Sequence, residues 1–253
     1  MMKFEEYKNI VVEIEDRVAL VIVNRPEKLN ALNELTKLEL LDVLNKLEDD
    51  TSIGALVLTG KGDKSFIAGD DIAEFETRKK DDFRILQNLT IKIEEYKKPI
   101  IASINGYALG GGCEIAISCD FRIASENAKF GFPEIKLGLI PGAGGTQRLP
   151  KLIGLSKAKQ LIFTGELIDS KEALKIGLID IITKQSELRK YSLEFAHKLS
   201  EFSPLALQLA KKAINSSSYV NLKNGLDMEL DYVWDLKNSE ISKKLVRDFL
   251  NRK

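Results

Sequence analysis

The sequence has 253 residues, of which 44% are hydrophobic, so the chain can bury the core of one large domain or of a domain with an appendage. Its 38 basic residues are balanced by 38 acidic residues, which argues against a dedicated nucleic-acid-binding protein, because such proteins usually carry a basic excess. No apolar run approaches the ~18 residues that a membrane helix needs, and acidic residues interrupt the apolar N-terminal stretch, which is not typical of a secretory signal.

The first part of the chain predicts a β-hairpin followed by a helix. Residues 11–14 and 18–23 have alternating apolar side chains, many of them β-branched, and Glu15 and Asp16 lie between the two runs. Asn33 can cap a helix in which leucines recur at positions 35, 38, 41, 44 and 47. We expect these leucines to share much of one helix face.

The middle of the chain alternates short apolar strands with helices. Strands are predicted at residues 55–58, 100–104, 121–124 and 130–131, and helices at residues 82–96, 113–118, 156–163 and 170–176. Asp169 and Glu172 have the spacing of a capping box at the start of the last of these helices, and Gly177 is a stop signal after it. This alternation predicts an α/β fold.

The pattern from residue 186 onward is helical throughout, with Leu188, Phe195, Leu199 and Phe202 on one stripe. We therefore predict an α/β core over residues 1–185 and a C-terminal helical region over residues 186–253. The apolar stripe of the second region needs a partner surface, which predicts self-association through these helices.

A glycine-rich turn connects the predicted strand at 100–104 with the helix at 113–118, and its sequence is Asn105-Gly-Tyr-Ala-Leu-Gly-Gly-Gly-Cys-Glu114. Consecutive glycines let backbone N–H groups approach a ligand closely, and the start of a helix adds a partial positive charge. Such a turn suits an anion, or an oxyanion that develops during a reaction. A plain tight turn, with Glu114 complementing the helix dipole, explains the same residues about equally well.

Two further segments have a similar character. Glu134 follows Phe130-Gly-Phe-Pro and precedes a second glycine-rich stretch at residues 137–149. Taken alone, Glu134 fits a surface or capping residue, but two glutamates that are each tied to such a stretch indicate acid/base chemistry. Residues 66–72, after a predicted strand, are either an ordinary loop or the source of a second backbone donor for the same site.

Competing chemistries lack the residues that they need. His197 is the only histidine and belongs to the predicted C-terminal helices, which excludes a Ser-His-Asp triad and most zinc sites. The glycine patterns of dinucleotide sites and P-loops are absent. Cys113 and Cys119 lie six residues apart, on different faces of a helix, so we expect two reduced thiols in a cytoplasmic protein rather than a disulfide.

Taken together, these segments resemble the crotonase (enoyl-CoA hydratase/isomerase) superfamily. The resemblance extends over nearly the whole chain, from residues 25–32 through residues 68–72, 105–114 and 133–149. It implies an α/β fold built as a crotonase-like spiral of ββα units, with a helical C-terminal region that assembles a homotrimer or a homohexamer. It also implies an acyl-CoA thioester as the substrate, with no metal, further cofactor, nucleic acid or membrane as a partner.

The resemblance implies a role for each matched residue of the site. Glu114 and Glu134 match the two glutamates of the hydratase branch, of which Glu114 would orient and deprotonate a water molecule and Glu134 would deliver the α-proton. The backbone N–H groups of Asp70 and Gly111 match the oxyanion hole, and Gly142 matches a glycine whose amide contacts the catalytic water.

Contacts with CoA and the rest of the substrate are implied for Lys28, Leu29, Ala68, Gly69, Asp71 and Ile72. A terminal basic residue, Arg252 or Lys253, would reach the CoA phosphates. The chain departs from many hydratases at Asp70, where they have Ala, and we expect this carboxylate to point outward. It also departs at Phe132, where they have Gln, and we expect Phe132 in the acyl pocket, where desolvation would raise the pKa of Glu134.

The function that this resemblance implies is hydration of a 2-enoyl-CoA, or dehydration of a 3-hydroxyacyl-CoA, as in the β-oxidation of fatty acids. One alternative is a Δ3-Δ2-enoyl-CoA isomerase, which can work with a single carboxylate, and another is a non-catalytic CoA- or RNA-binding member of the superfamily. Two matched glutamates favour hydration, and the balanced charge argues against RNA binding.

Overall fold

The computed structural model describes residues 7–251, except for the side chains of Phe75 and Thr77. Strands β1 (Ile10–Glu15) and β2 (Val18–Val23) form the predicted antiparallel hairpin. Asp16 lies at the turn with a φ of 51°, in the left-handed region that Asp enters more readily than most residues.

The strands that follow belong to two sheets. The larger sheet has the order β1-β2-β3-β5-β7-β10 and the smaller sheet has the order β4-β6-β8-β9. Neighbouring strands are parallel except at β1–β2 and β8–β9. The bounds are β3 (Ala55–Gly60), β4 (Ser65–Ile67), β5 (Ile100–Ile104), β6 (Tyr107–Leu109), β7 (Phe121–Ser125), β8 (Lys129–Gly131), β9 (Ile168–Asp169) and β10 (Ile181–Thr183).

Each pair β3–β4, β5–β6 and β7–β8 places its first strand in the larger sheet and its second in the smaller sheet, and a helix follows each pair. This arrangement confirms the predicted spiral of ββα units. The α-helices are α1 (Glu34–Asp49), α2 (Asp82–Glu94), α3 (Gly111–Ser118), α4 (Gly145–Ile153), α5 (Leu155–Thr164), α6 (Ser170–Lys175), α7 (Leu188–Ser200), α8 (Pro204–Ser216), α9 (Leu222–Asn238) and α10 (Glu240–Leu250).

Helix α1 confirms the predicted cap but not the predicted leucine face. The Asn33 side chain accepts a hydrogen bond of 2.9 Å from the backbone N–H of Thr36. Leu35 and Leu38 are 41% and 46% exposed, whereas Leu40, with Val43, Leu44 and Leu47, is buried. Steps of three residues fall roughly 60° short of a full turn, so leucines at this spacing drift around the helix instead of sharing one face.

Two helices differ from the sequence-based prediction at the glycine-rich stretches. Helix α3 begins at Gly111, two positions earlier than predicted. Helix α4 begins at Gly145 and contains Pro150, so its sequence lacks the usual signals of a helix start and of an uninterrupted helix. Both helices are stabilised by tertiary packing, which is why local signals alone did not define their bounds.

The two faces of the larger sheet are covered by different helices. Apolar side chains of one face, including Val57 and Ile101, pack against Leu188, Leu193 and Ala196 of α7. Side chains of the opposite face join a larger cluster with residues of α1, α2 and α3. Helix α7 therefore completes the core of the α/β region, although it follows residue 185 in the sequence.

The helical character of the C-terminal region is confirmed, and its last two helices are unlike the rest of the fold. Neither α9 nor α10 contains a buried residue. Large apolar side chains along them, such as Leu230, Trp234 and Phe249, are 59–75% exposed. Within residues 7–251, no helix combines the length and the apolar character that crossing a lipid bilayer requires.

Candidate active site

A cavity of about 340 Å³ lies at the carboxyl ends of three strands of the smaller sheet. Its wall comes from residues 68–72 after β4, residues 109–114 around the end of β6, and residues 133–143 after β8, and α2 adds Phe83 and Leu86. Because β4, β6 and β8 are parallel neighbours, their carboxyl ends meet at one edge of the sheet. This topology brings together segments that are far apart in the sequence, at a place where α/β folds commonly bind ligands.

Most of the predicted site residues meet at this cavity. Those that line it are Ala68, Gly69, Asp70, Ile72, Gly111, Glu114, Glu134 and Gly142. The remaining lining side chains are mainly apolar, so the cavity offers a nonpolar surface that carries two carboxyl groups.

The turn before α3 depends on glycine at two positions. Gly110 has a φ of 49°, and its N–H donates a hydrogen bond of 2.9 Å to the carbonyl oxygen of Gly131. A side chain at Gly112 would lie 1.9 Å from the carbonyl oxygen of Ile67, so only glycine lets α3 approach β4 this closely. The close packing directs the N-terminus of α3, with its N–H groups, towards the cavity.

Glu114 is held tightly on one wall of the cavity. The residue is only 2% exposed, and its Oε1 accepts hydrogen bonds from the N–H groups of Ala143 (2.6 Å) and Gly145 (2.8 Å). Burial raises the pKa of Glu114 above its usual value, and the two backbone hydrogen bonds and the nearby Arg148 partly oppose this rise.

A second set of contacts fixes the segment that holds Glu114. The carbonyl oxygen of Ala143 accepts hydrogen bonds from Thr90 Oγ1 (2.9 Å) and from the Arg148 guanidinium (3.1 Å). Arg148 also pairs with Glu94 on α2 at 2.6 Å. Sequence analysis indicated exposed amides in residues 137–149 but missed these partners, because Glu114, Thr90 and Ala143 become neighbours only through tertiary packing.

Glu134 has a different environment on the 3-10 helix Pro133–Leu137. Its Oε2 is buried and has no hydrogen-bond partner within residues 7–251. Its Oε1 faces Gly110, where an added side-chain carbon would lie 2.8 Å away. Burial raises the pKa of Glu134 to about 7, the hydrogen bond from its own backbone N–H lowers the pKa, and the charge of Glu114 raises it further.

The two predicted backbone donors lie together on the cavity wall. A side chain added at Gly111 would lie 3.7 Å from the amide nitrogen of Asp70. In the described part of the chain, neither the Asp70 N–H nor the Gly111 N–H donates to a protein acceptor. Both N–H groups can therefore donate to a ligand in the cavity.

From the sequence we expected the Asp70 carboxylate to point outward, but in the structure it is only partly exposed and is paired with two cations. Its side chain is 27% exposed, and Oδ1 pairs with Lys37 Nζ at 3.0 Å. Oδ2 pairs with Arg78, which also contacts Glu74 at 3.1 Å. The carboxylate is thus held by two cations beside the cavity.

Phe132 does not line the cavity, which corrects its predicted place in the acyl pocket. The side chain is fully buried in the main core, and its ring lies behind Gly145, where an added side chain would meet it at 3.0 Å. Glu134, two residues later, reaches the cavity, whereas Phe132 itself points into the core.

The other predicted contacts lie near the cavity but not on its wall. Lys28 and Leu29 are exposed, and the Leu29 carbonyl oxygen accepts a hydrogen bond of 3.2 Å from the N–H of Ala68, which does line the cavity. Asp71 pairs with Arg25 at 3.0 Å. Burial would raise the pKa of Asp71, but its hydrogen bonds and Arg25 together hold that pKa below its usual value. Positions 252 and 253 lie outside the described residues.

Comparisons with known proteins identify the family of this chain. The sequence profile of the enoyl-CoA hydratase/isomerase family matches residues 13–253. The chain is 44% identical to the short-chain-enoyl-CoA hydratase of Clostridium acetobutylicum, over 98% of this chain and 97% of that protein. It is 43% identical to the crotonyl-CoA hydratase of Syntrophomonas wolfei, over 89% and 88% of the two chains. The crystal structure of an enoyl-CoA hydratase from Bacillus anthracis superposes with a TM-score of 0.93 at 35% identity, over 97% of each chain.

Proposed function

The chain belongs to the enoyl-CoA hydratase/isomerase family, and from this premise we propose that it is an enoyl-CoA hydratase that uses Glu114 and Glu134 as an acid/base pair. It would add water across the 2,3 double bond of an acyl-CoA thioester, or remove water in the reverse direction. The observation that carries the proposal is the meeting of two carboxyl groups and two free backbone donors on one apolar cavity.

The N–H groups of Asp70 and Gly111 are proposed as the oxyanion hole. When water adds to the β-carbon, negative charge develops on the thioester oxygen, as in an enolate. Two donors that already face the cavity stabilise this charge without reorganisation, and the loss of one such donor typically costs ~3 kcal/mol of transition-state stabilisation. Both donors line the same cavity as the two glutamates, which supports a thioester carbonyl bound beside both acid/base groups.

The different surroundings of the glutamates suit different steps. Both backbone contacts of Glu114 are N–H donors to its Oε1, so they favour the ionised carboxylate. The ionised carboxylate can accept a proton from water while the water oxygen bonds to the β-carbon of the substrate. Glu134, with a pKa of about 7, can carry the proton that the α-carbon receives. Proton exchange with solvent then restores both carboxyl groups. Gly142, on the same wall as Glu114, is proposed to donate its N–H to the attacking water.

Residues 25–32 and 68–72 are proposed to hold the CoA part of the substrate. Leu29 and Asn30 both have left-handed backbone conformations, with φ of 50° and 56°, which cost energy in residues other than glycine. The buried Asn30 side chain fixes this turn by accepting from the N–H of Arg25 and donating to the Ser65 carbonyl oxygen. The turn therefore presents Lys28 and Leu29 in a fixed position beside the cavity, together with Ala68, Gly69, Asp71 and Ile72.

Self-association through the C-terminal helices is part of the proposal. Large apolar side chains of α9 and α10 are exposed in the part of the chain that the structure describes, which favours the homotrimer or homohexamer that the resemblance implies. Light scattering at micromolar concentration should give three or six times the chain mass, and a monomer would contradict it. The free thiols of Cys113 and Cys119 are buried and support a cytoplasmic location.

The direct test is a spectrophotometric hydration assay with a series of 2-enoyl-CoA thioesters, from crotonyl-CoA to long-chain substrates. Loss of the conjugated enoyl absorbance without added metal or nucleotide is the expected result. The matching 3-enoyl-CoA series separates hydration from double-bond migration, since an isomerase would convert the 3-enoyl substrate and stop at the 2-enoyl product. Absence of hydration across the series would refute the proposal.

A further inference from the structure

We propose that Asp70 is a positioning residue, whose carboxylate fixes the backbone N–H that the same residue contributes to the oxyanion hole. The inference rests on the proposed hydratase function.

The backbone around Asp70 is attached to one neighbouring residue. The Leu32 N–H donates to the Gly69 carbonyl oxygen at 2.9 Å, and the Asp71 N–H donates to the Leu32 carbonyl oxygen at 3.0 Å. The Asp70 N–H lies between these two bonds and donates to no acceptor in the described part of the chain, and Asp70 lines the cavity. Beyond Asp71 the chain continues as the 3-10 helix Ile72–Thr77, so backbone bonds alone hold the Asp70 peptide on one side only.

The side chain of Asp70 supplies the attachment on the other side. Each carboxylate oxygen has its own cation, with Lys37 at Oδ1 and Arg78 at Oδ2. The Lys37 and Arg78 side chains are only 1% and 3% exposed. A buried cation without a partner is costly, so the carboxylate connects α1, which carries Lys37, with the end of the 3-10 helix, near Arg78.

This arrangement also limits how strongly the carboxylate charge opposes the reaction. Lys37 and Arg78 carry two positive charges, and Asp70 and Glu74, which contacts Arg78 at 3.1 Å, carry two negative charges. The cluster is therefore formally neutral beside the developing oxyanion. An isolated carboxylate at this position would repel that oxyanion.

Loss of the carboxylate should disturb the donor rather than the binding of CoA. Without it, Lys37 and Arg78 must find other partners, and the Asp70 peptide loses its second attachment. A displacement of about 1 Å in a catalytic group can cost on the order of 10²-fold in rate. Removing the Lys37 charge together with the carboxylate relieves the cost of the unpaired cation, since Arg78 keeps its contact with Glu74, but it does not restore the attachment of the Asp70 peptide.

The test compares Asp70→Ala, Lys37→Met and the double variant Asp70→Ala/Lys37→Met with the wild-type protein. Asp42→Asn, which removes an exposed carboxylate that pairs with Lys46 on α1, is the matched control. Three quantities are measured: kcat, KM, and the absorbance shift of a bound aryl-substituted enoyl-CoA, whose spectrum moves to longer wavelength when its carbonyl accepts hydrogen bonds.

For each single variant we expect kcat to fall about 10- to 100-fold, with KM little changed and a smaller absorbance shift. The double variant should lose no more kcat or absorbance shift than Asp70→Ala alone, because both substitutions break the same contact, and the control should match the wild type. Wild-type kcat and absorbance shift in Asp70→Ala would overturn the inference, as would losses that simply multiply in the double variant.

Two further outcomes remain decisive. If Asp70→Ala does not fold, Lys37→Met and the double variant carry the test, because the double variant leaves no unpaired Lys37 charge and should still show the loss of kcat. Wild-type kcat in the double variant would overturn the inference. If the wild-type protein shifts the spectrum of the bound thioester but hydrates no substrate, the hydratase proposal fails. The comparison of absorbance shifts between variants then still decides whether Asp70 positions the donor.

Discussion

The two glutamate-bearing walls of the cavity are built in opposite ways. Glu114 lies on α3, almost completely buried, with both of its backbone donors on one carboxylate oxygen and with Thr90 and Arg148 behind them. Glu134 lies on a short 3-10 helix, and its buried Oε2 has no protein partner within residues 7–251.

This difference shows how one apolar cavity can give two carboxyl groups separate tasks. Burial raises the pKa of both groups, but Glu114 accepts two hydrogen bonds from the backbone of a neighbouring segment, whereas Glu134 has only the one from its own backbone N–H to lower its pKa. Pairs of titratable groups whose surroundings separate their pKa values are typical of acid/base sites. We call the side of the cavity with Glu114 and its backbone donors the fixed wall, and the side with Glu134 the free wall. The two walls should respond differently to substitution.

The largest effect is expected when either carboxyl group is replaced by an amide. Glu114→Gln and Glu134→Gln should each lower kcat by roughly 10²–10⁴-fold, because an amide keeps the shape of the carboxyl group but cannot transfer the proton. Affinity for the CoA thioester, measured by calorimetry, should change little. Wild-type turnover in Glu114→Gln with an inactive Glu134→Gln would favour double-bond migration over hydration.

A smaller effect is expected when the fixed wall is crowded. A methyl group added at Gly145 would lie 2.7 Å from Pro141, 3.0 Å from the Phe132 ring and 3.1 Å from Glu114 Oε1. Gly145→Ala should therefore lower the free energy of unfolding by about 1–3 kcal/mol, measured by urea denaturation, and should also lower kcat.

The matched control for that crowding is Gly142→Ala, in the same loop. An added methyl group at Gly142 meets no atom within 4 Å, so the free energy of unfolding should stay within about 0.5 kcal/mol of the wild-type value. Equal losses in the two alanine variants would show that the wall around Glu114 is less rigid than the contacts indicate.

The pH dependence should report the free wall, because the pKa of Glu134 is raised to about 7. Hydration needs protonated Glu134, so kcat/KM for hydration should fall about tenfold per pH unit above this pKa. Dehydration needs ionised Glu134, so kcat/KM for dehydration should rise as the pH approaches this pKa. A limb near pH 7 that is unchanged in Glu134→Gln would contradict this assignment.

The same group makes folding stability depend on pH. Its native pKa of about 7 exceeds its usual value of 4.5, so the native state retains the proton longer than the unfolded state. The stabilising contribution is complete below about pH 4.5 and is lost as the pH rises through about 7. The free energy of unfolding of Glu134→Gln, relative to that of the wild type, should therefore increase as the pH rises across this range.

The smallest effect is expected behind the fixed wall. Thr90→Val removes the hydrogen bond of 2.9 Å to the Ala143 carbonyl oxygen and should cost about 1 kcal/mol of unfolding free energy, with a small fall in kcat. Thr59→Val is the control, since Thr59 Oγ1 donates to the Ser103 carbonyl oxygen at 2.7 Å, away from the cavity. An equal fall in kcat in both variants would remove the proposed role of Thr90.

Much of the fold could be predicted from local pattern. The hairpin of β1 and β2, the cap at Asn33 and the strand Ile100–Ile104 were all indicated by alternation, capping chemistry and apolar runs. Periodicity was only partly right in α1, where Leu44 and Leu47 lie on the buried face but Leu35 and Leu38 do not. It failed at α4, where Gly145 and Pro150 conceal a helix that packing stabilises.

The identity of the two glutamates and of the glycine-rich turns was determined by the sequence itself, since residue type and order alone identify the family's pattern. What holds each glutamate was decided only by the tertiary structure. The amides of Ala143 and Gly145 are 29 and 31 residues from Glu114, and parallel pairing of β4, β6 and β8 brings these segments to one edge. Burial, and with it the pKa of about 7 at Glu134, likewise depends on which segments the fold packs around the carboxyl group.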